Sequence, residues 1–550
     1  MIETDVLVVG GGPVGLSLAL ELGLQGRRCL LVELNDRIGM APRAKTTNVR
    51  SRELMRRWGI AERLAEASPF GIDYPSNVVF ATRLAGHELA RFENGFYCSP
   101  VRDERYSEHA QWIPQYKVEA VLRERAAEFA GVEMRLSTRL ESWVEDAEGI
   151  VAQLRDDATG KPFQVRAAYL VGADGARSTV REQLGIEMEG TSPLGQFHNI
   201  VFRSAGLSRK HALGPAIMYW LVNGEVPSVV APLDADDVWT FGCPKLAHAE
   251  ADPATLIRAA LGLGTDVEIE IINRDHWTAH QLIARAYRSG RAFLAGDACH
   301  LHPPFGGHGM NMGIGDALDL GWKLSAVLNG WGGAALLDSY EIERRQVHRR
   351  VVDEAVENNA HSSHSLVVEG LEADGPAGDA VRAGVKAQIL IHKPREFLAL
   401  GVVLGSRLAA SPVLSADDFG TAAPPDSSVY VPSANPGSLA PHVWLAEGKA
   451  QGASLYDHFA VDGLTLLVTH PKALAAADAV AQAALAAGVP LRVIAPASPA
   501  LHALYEADMV LIRPDQFIAW RGHSAAAANQ AVLQAVGREA INTTSTETQP

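Results

Sequence analysis

Residues 290–324, GRAFLAGDACHLHPPFGGHGMNMGIGDALDLGWKL, constrain the fold of this chain more than any other stretch. Arg291 to Ala295 alternate and then run apolar, the pattern of a buried strand, and Gly296 lets the backbone turn so that Asp297 emerges at the strand's end. Open α/β sheets hold their ligands at such ends. His300 to Gly309 follow with two prolines, three glycines and no helical period, and a helical pattern then runs from Asn311 to Leu328. A loop of that composition lies close against something flat. The helix start after it aims free N–H groups and about half a positive charge at the same place, which suits an electron-rich ring that becomes anionic on reduction.

Two further segments belong with it. Asp5 to Val9 form a short strand leading into Gly10-Gly11-Gly12-Pro13-Val14-Gly15 and an amphipathic helix through Leu24; Arg28 to Val32 form the next strand, ending at Glu33. This is a dinucleotide fingerprint, in which Gly10 makes the tight turn, Gly12 admits a pyrophosphate and Gly15 lets helix and strand pack. Glu33, eighteen residues past Gly15, can accept hydrogen bonds from an unphosphorylated ribose. Farther on, Tyr169 to Ala173 deliver Asp174-Gly175-Ala176-Arg177-Ser178, with Arg181 one turn into a helix. Taken alone this is also the signature of a strand-to-helix turn that Asp174 caps.

The three motifs, in this order, resemble those of the FAD-dependent aromatic hydroxylases, the family of 4-hydroxybenzoate hydroxylase and phenol hydroxylase. The resemblance covers essentially the whole chain. It implies that Asp297 binds the ribityl chain of FAD, that Pro303 and Pro304 pass the flavin face with Gly307 in the same loop, and that Gly309, Met310 and Asn311 meet the pyrimidine edge of the ring. It further implies that Asp174 touches FAD and the nicotinamide path, and that Gln115, ahead of the helix Lys117 to Phe129, reaches the phosphate and ribityl region. Arg43, in the segment Pro42 to Arg50, is the expected flavin contact there. Lys45 stands where phenol hydroxylase has an aspartate beside the substrate. A lysine there can be a counter-ion for a phenolate or carboxylate, or simply a solvated loop lysine. His198, Tyr219 and His302 are the other candidates for activating the substrate. Adjacent strand residues face opposite sides, so only one of Tyr219 and Trp220 can line a pocket.

The expected fold is α/β: a Rossmann-like FAD-binding domain of the glutathione-reductase type (1–73, 113–185 and 281–408), a mostly β substrate domain (74–112 and 186–280), a linker (409–440) and a thioredoxin-like α/β domain (441–540) before a disordered tail (541–550). The C-terminal domain resembles the tail of the phenol hydroxylase branch, including Arg513-Pro514-Asp515 and Ala519-Trp520-Arg521. Lacking a C-x-x-C, it cannot exchange dithiols and is expected to be structural or oligomeric, with a homodimer as the candidate assembly.

By the same resemblance, NADPH or NADH reduces FAD, O2 adds to give the C4a-hydroperoxide, and its terminal oxygen attacks an electron-rich carbon of a phenolic substrate. Baeyer–Villiger oxygenation, epoxidation and a non-catalytic flavin-binding role stay open; the W-x-W-x-I signature of flavin halogenases does not occur. Composition excludes other classes. A net charge of −15 over 550 residues disfavours nucleic acid and anionic membranes. Four cysteines without a C-x-x-C or zinc spacing fit reduced thiols in a cytoplasmic protein. The acidic start is no signal peptide, and the apolar stretch near Phe397 to Leu404 is too short to span a bilayer.

Overall fold

The computed structural model describes residues 1–36, 39, 44–235, 237–245, 252–416, 426–445 and 452–538. The expectations for Arg43 and for the tail 541–550 lie outside the described residues. The chain divides into two compact units, residues 1–317, 348–404 and 425–430 in one and 318–347, 405–424 and 431–550 in the other.

In the first unit, a parallel sheet runs in the order Val132–Arg135, Cys29–Val32, Ile2–Val9, Pro162–Gly172, Ala292–Leu294, with Arg288–Ser289 antiparallel at the edge. Its central strands end in continuous apolar runs, as in Cys29–Val32 and Ala292–Leu294, because both faces are covered there. The connecting helix Pro13–Leu24 is apolar nearly all round, and Leu16, Leu18, Leu20 and Leu22 are fully buried. Register decides what the sheet presents. Val9 lies opposite Gly172, and Gly172 opposite Leu294, so Gly10, Asp174 and Asp297 leave the sheet at one edge.

The second sheet of this unit has eight strands, with Met188–Arg203 paired between Glu270–Ala284 and Val238–Pro244 and continuing through Ser228–Pro232, Met218–Leu221, Val78–Ala81 and Glu88–Phe92. The stretch 186–280, expected to be mostly β, also contains the helix Pro253–Leu261. Its signals are local: Asp252 caps Thr255 N–H, Pro253 opens the first turn, Gly262 closes it at φ 68°, and Leu256, Ile257, Ala260 and Leu261 are buried. Toward the end of this unit the chain forms the helix Gly375–His392, followed by the short helices Pro394–Phe397 and Leu400–Leu404. Pro394 brings no N–H to continue the ladder.

The second unit carries a four-stranded sheet in the order Leu491–Ile494, Leu464–Val468, Met509–Ile512, Ile518–Gly522, the first pair parallel and the others antiparallel. With helices Leu474–Ala486, Ala500–Tyr505 and Ala525–Ala535 this is a thioredoxin-like arrangement. Arg513 is buried there among carboxylates, bonded to Glu343 (2.7 and 2.8 Å), Asp319 (3.2 Å) and Asp515, while Lys323 bonds Glu343 at 2.7 Å and Asp319 at 3.0 Å. No helix among the described residues is long and apolar enough to cross a membrane. All four cysteines are buried thiols outside any disulfide.

Candidate active site

Glycines bring the three motifs into contact. A Cβ on Gly10 would lie 2.3 Å from the Ala173 carbonyl oxygen, one on Gly15 would lie 1.9 Å from the Gly10 oxygen, and one on Gly296 or Gly313 would strike Val14 at 2.8 or 2.4 Å. Val14 therefore fills the seam between the first turn, the Asp297 turn and the helix Gly309–Leu328. Arg181 reinforces it, donating to the Ala298 and Ala176 carbonyls, both at 3.0 Å. By contrast, a Cβ on Gly12 or Gly175 would meet nothing among the described residues within 4 Å. Gly12 sits at the N-terminus of Pro13–Leu24, where no side chain caps the helix, so the space before a positive helix end is open to an anionic group. That combination of close packing behind the turn and open space before it fits the pyrophosphate of a dinucleotide such as FAD.

The polar residues of the motifs also brace their own turns. Glu33 accepts from Gly11 N–H at 2.6 Å and from the Asn35 backbone and side chain at 2.8 and 2.6 Å. Asp174 accepts from the Ser178 hydroxyl at 2.5 Å and Val180 N–H at 3.1 Å, and burial raises its carboxyl above the ordinary value. Asn311 donates to the Thr46 and Gly307 carbonyls at 2.9 and 2.7 Å and accepts from Asn48 N–H at 2.9 Å. Its amide thus pins the Gly-rich loop to the segment after Lys45, so a ring contact at this residue would come from its backbone. Gln115 clamps the residue before Lys45, exchanging bonds with Ala44 at 3.0 and 3.1 Å. Gly307 has φ 66°, and a Cβ there would come 3.2 Å from Thr46. Pro304 is exposed, and Asp297, Gly309 and Met310 are half-buried, at the same end of the helix.

Lys45 is half-buried beside this loop, and among the described residues its ammonium has no ion-pair partner. Burial lowers its pKa to about 8. His302 donates its Nδ1–H to the Pro303 carbonyl at 2.7 Å, which leaves Nε2 as a buried acceptor without a partner among the described residues. Burial, with a smaller contribution from His300, pushes its pKa down to about 3, so it is a neutral ring and cannot serve as a cation. His308 resembles it, with a bare buried Nε2 and a pKa lowered by burial to about 4.

The other two candidates sit elsewhere. The Tyr219 hydroxyl is spent on the Gly214 carbonyl at 2.6 Å, and its ring packs in the core with Ile200, Phe202, Trp239 and Phe241. His198 pairs across the sheet with Cys243, a member of that same core, so it shares the face of Tyr219. Strand alternation gives the opposite face to Trp220, whose ring stacks 5.4 Å from Phe80 and lies 5.9 Å from Phe305 in the Pro-Gly loop. Of the adjacent pair, Trp220 faces the loop. Nothing in the local alternation of MYWL ranks one ring above the other.

Sequence reasoning also missed Asp316, fully buried one turn past Gly313. It accepts from Gly296 N–H and His300 Nε2 at 3.0 Å each on one oxygen and from His348 Nε2 at 2.8 Å on the other, while the Tyr287 hydroxyl meets His348 Nδ1 at 2.7 Å. A carboxylate with three N–H donors ties the Asp297 turn to the second turn of the helix. Its spacing from Asp297 carries no signal until the helix folds back over the strand end.

Comparison with known proteins agrees with this geometry. Residues 3–355 match the family described as FAD binding domain, and 433–540 that described as aromatic-ring hydroxylase, C-terminal. Tetracenomycin B2 monooxygenase-dioxygenase of Streptomyces olivaceus is 34% identical, covering 97% of this chain and 98% of that one. 4-Methyl-5-nitrocatechol 5-monooxygenase of Burkholderia sp is likewise 34% identical, over 97% of this chain and 96% of its own. Among solved structures, native and K252c-bound RebC-10x superposes with a TM-score of 0.90 at 34% identity over 98% of this chain and 100% of that one. Aklavinone-11 hydroxylase in complex with FAD and aklavinone gives 0.82 at 29% over 98% and 100%. The chain belongs to the FAD-dependent aromatic-ring hydroxylases, flavin monooxygenases that hydroxylate aromatic substrates.

Proposed function

We propose that this enzyme uses NADPH or NADH to hydroxylate a phenolic substrate of several fused rings, and that Lys45 holds the substrate as its phenolate. The observation that carries the reading is the Lys45 ammonium, half-buried, without an ion-pair partner among the described residues, and joined through Thr46 to the loop of Gly307 and Asn311. Support for a multi-ring substrate comes from relatives named for tetracenomycin B2 and aklavinone and from RebC bound to K252c. Bound FAD supplies electron transfer from the nicotinamide to dioxygen and delivery of one oxygen atom to the ring.

The chain's own residues do the rest. Gly12 and the N-terminus of Pro13–Leu24 receive the pyrophosphate, with Glu33 and Gln115 at its flanks. Asp174 and Asp297 border the ribityl path. Pro304, Gly307, Gly309 and the backbone of Met310 and Asn311 present a flat, donor-rich edge to the ring. Lys45 Nζ favours ionisation of the phenol to the phenolate, the form whose ring carbons are more nucleophilic, and His302 Nε2 is a neutral acceptor that can take a hydrogen bond from a substrate hydroxyl. The aromatic wall of Trp220, Phe80 and Phe397 behind Phe305 keeps water from the loop.

The test is a panel of fused-ring and single-ring phenols scored for stimulated NAD(P)H oxidation together with product and peroxide. A fused-ring phenol should give hydroxylated product in step with the NAD(P)H consumed. Peroxide alone with every compound would overturn the proposal, and coupled turnover with single-ring phenols only would overturn its substrate class.

A further inference from the structure

Far from these motifs in sequence, the second unit gathers three histidines and a buried aspartate at one end of its sheet. The register sets Val468 opposite Met509 and Met509 opposite Gly522, so Thr469-His470, Asp508 and His523 all leave the strands at the same edge. The helix Ala500–Tyr505 adds His502. Asp508 is 4% exposed, yet among the described residues its buried Oδ1 has no hydrogen-bond partner. Its other oxygen, Oδ2, is held by His523 Nδ1 at 2.8 Å and approached by Lys472 Nζ at 3.3 Å. His502 Nδ1 stands 3.9 Å from the bare Oδ1 and 3.3 Å from the Thr469 hydroxyl oxygen, and the His470 and His502 rings are 5.1 Å apart.

We propose that His470, His502 and Asp508 Oδ1 form a binding site for a divalent transition ion of the zinc class. Two ligand bonds of about 2.0–2.1 Å meeting at a tetrahedral angle put their donor atoms roughly 3.4 Å apart, and place two imidazole rings on one ion roughly 5 Å apart. The 5.1 Å ring separation matches the second value, while the 3.9 Å gap at Oδ1 is about half an ångström wider than the first, so the rings must close on the ion to bind it. His502 is 44% exposed, which leaves its ring room to turn inward, and His470, whose Nδ1 accepts from Lys472 N–H at 3.3 Å, would bind through Nε2. The carboxylate at the centre selects a cation over an anion. His523 and Lys472, on the second oxygen, orient the carboxylate as outer partners do in metal sites. Water completes the coordination.

The test is calorimetric titration of tag-free, FAD-loaded, full-length protein with Zn2+, paired with thermal melts. Wild type should bind about one equivalent and melt higher with zinc. The double variant His470→Ala/His502→Ala should lose that equivalent and the melting shift while keeping its flavin absorbance, and His523→Ala should weaken binding by about tenfold or more, as the loss of an outer partner does. Asp508→Asn, which keeps the shape of the side chain, should also lose the equivalent. No stoichiometric binding by wild type, or equal binding by the double variant, would overturn the site.

Discussion

At Lys45 a single charge carries a pH signature. Burial holds its pKa to about 8, so the ammonium is present below that value and lost as pH rises through it. The kcat/KM profile for a phenolic substrate should therefore fall on its alkaline side near pH 8. Lys45→Arg, whose guanidinium stays charged, should move that limb upward, and Lys45→Met should remove it and weaken substrate binding. An alkaline limb unchanged in both variants would take Lys45 out of the site. Lys45 was legible as a candidate because it replaces an acidic residue of the family. Its burial and its want of a partner were not, since they depend on the loop 303–309 and the helix after it folding beside it. The same holds for Tyr219 and Trp220, where strand alternation says that one faces inward but not which.

Contacts between elements concentrate in the seam filled by Val14. Gly313→Ala would drive a methyl group to within 2.4 Å of Val14, forcing the helix Gly309–Leu328 away from the first turn. Overpacking of this kind costs about 1–3 kcal/mol, so FAD should bind about ten- to a hundredfold more weakly if the strain falls on the bound form. Flavin fluorescence titration of the apoprotein would measure it. Asp316→Asn acts on the same join from the other side, setting an amide N–H2 against one of three N–H donors. Breaking such a buried charged arrangement costs about 3 kcal/mol or more, and flavin should be released at a lower temperature in a melt followed by its fluorescence. A melt that matches wild type would show the carboxylate to be dispensable. The motifs on either side of this seam were readable as strings, because glycine spacing and terminal acids report local turns. Their brace was not, because Asp316 joins residues that become neighbours only when the sheet register is set.

Across the whole molecule, the charge cluster of the second unit explains the Arg513-Pro514-Asp515 element. Burial alone would raise the carboxyls of Glu343 and Asp515, but Arg513 holds both below the ordinary range; for Asp319 burial prevails and lifts it to about 7. The stabilisation from Glu343 and Asp515 is present above their unfolded values and lost as pH falls, whereas that from the protonated Asp319 is present in acid and lost as pH rises through about 7. Asp319→Asn should flatten the decline in melting temperature between the ordinary carboxylate value and about pH 7. Arg513→Met leaves the acids unpaired and should cost about 3–5 kcal/mol, read from denaturation followed by circular dichroism. A loss below about 1 kcal/mol would mean that Lys323 suffices alone.

By itself the sequence determined the α/β class, the three cofactor motifs and the family they resemble, because each rests on local turn geometry and apolar periodicity within a few residues. Only the tertiary structure decided which side chains converge: Trp220 in place of Tyr219, Asp316 behind the Asp297 turn, Asn311 as a clasp, and Asp508 among its histidines. Those pairings follow from strand register and helix packing between segments remote in the chain, and no short stretch encodes them.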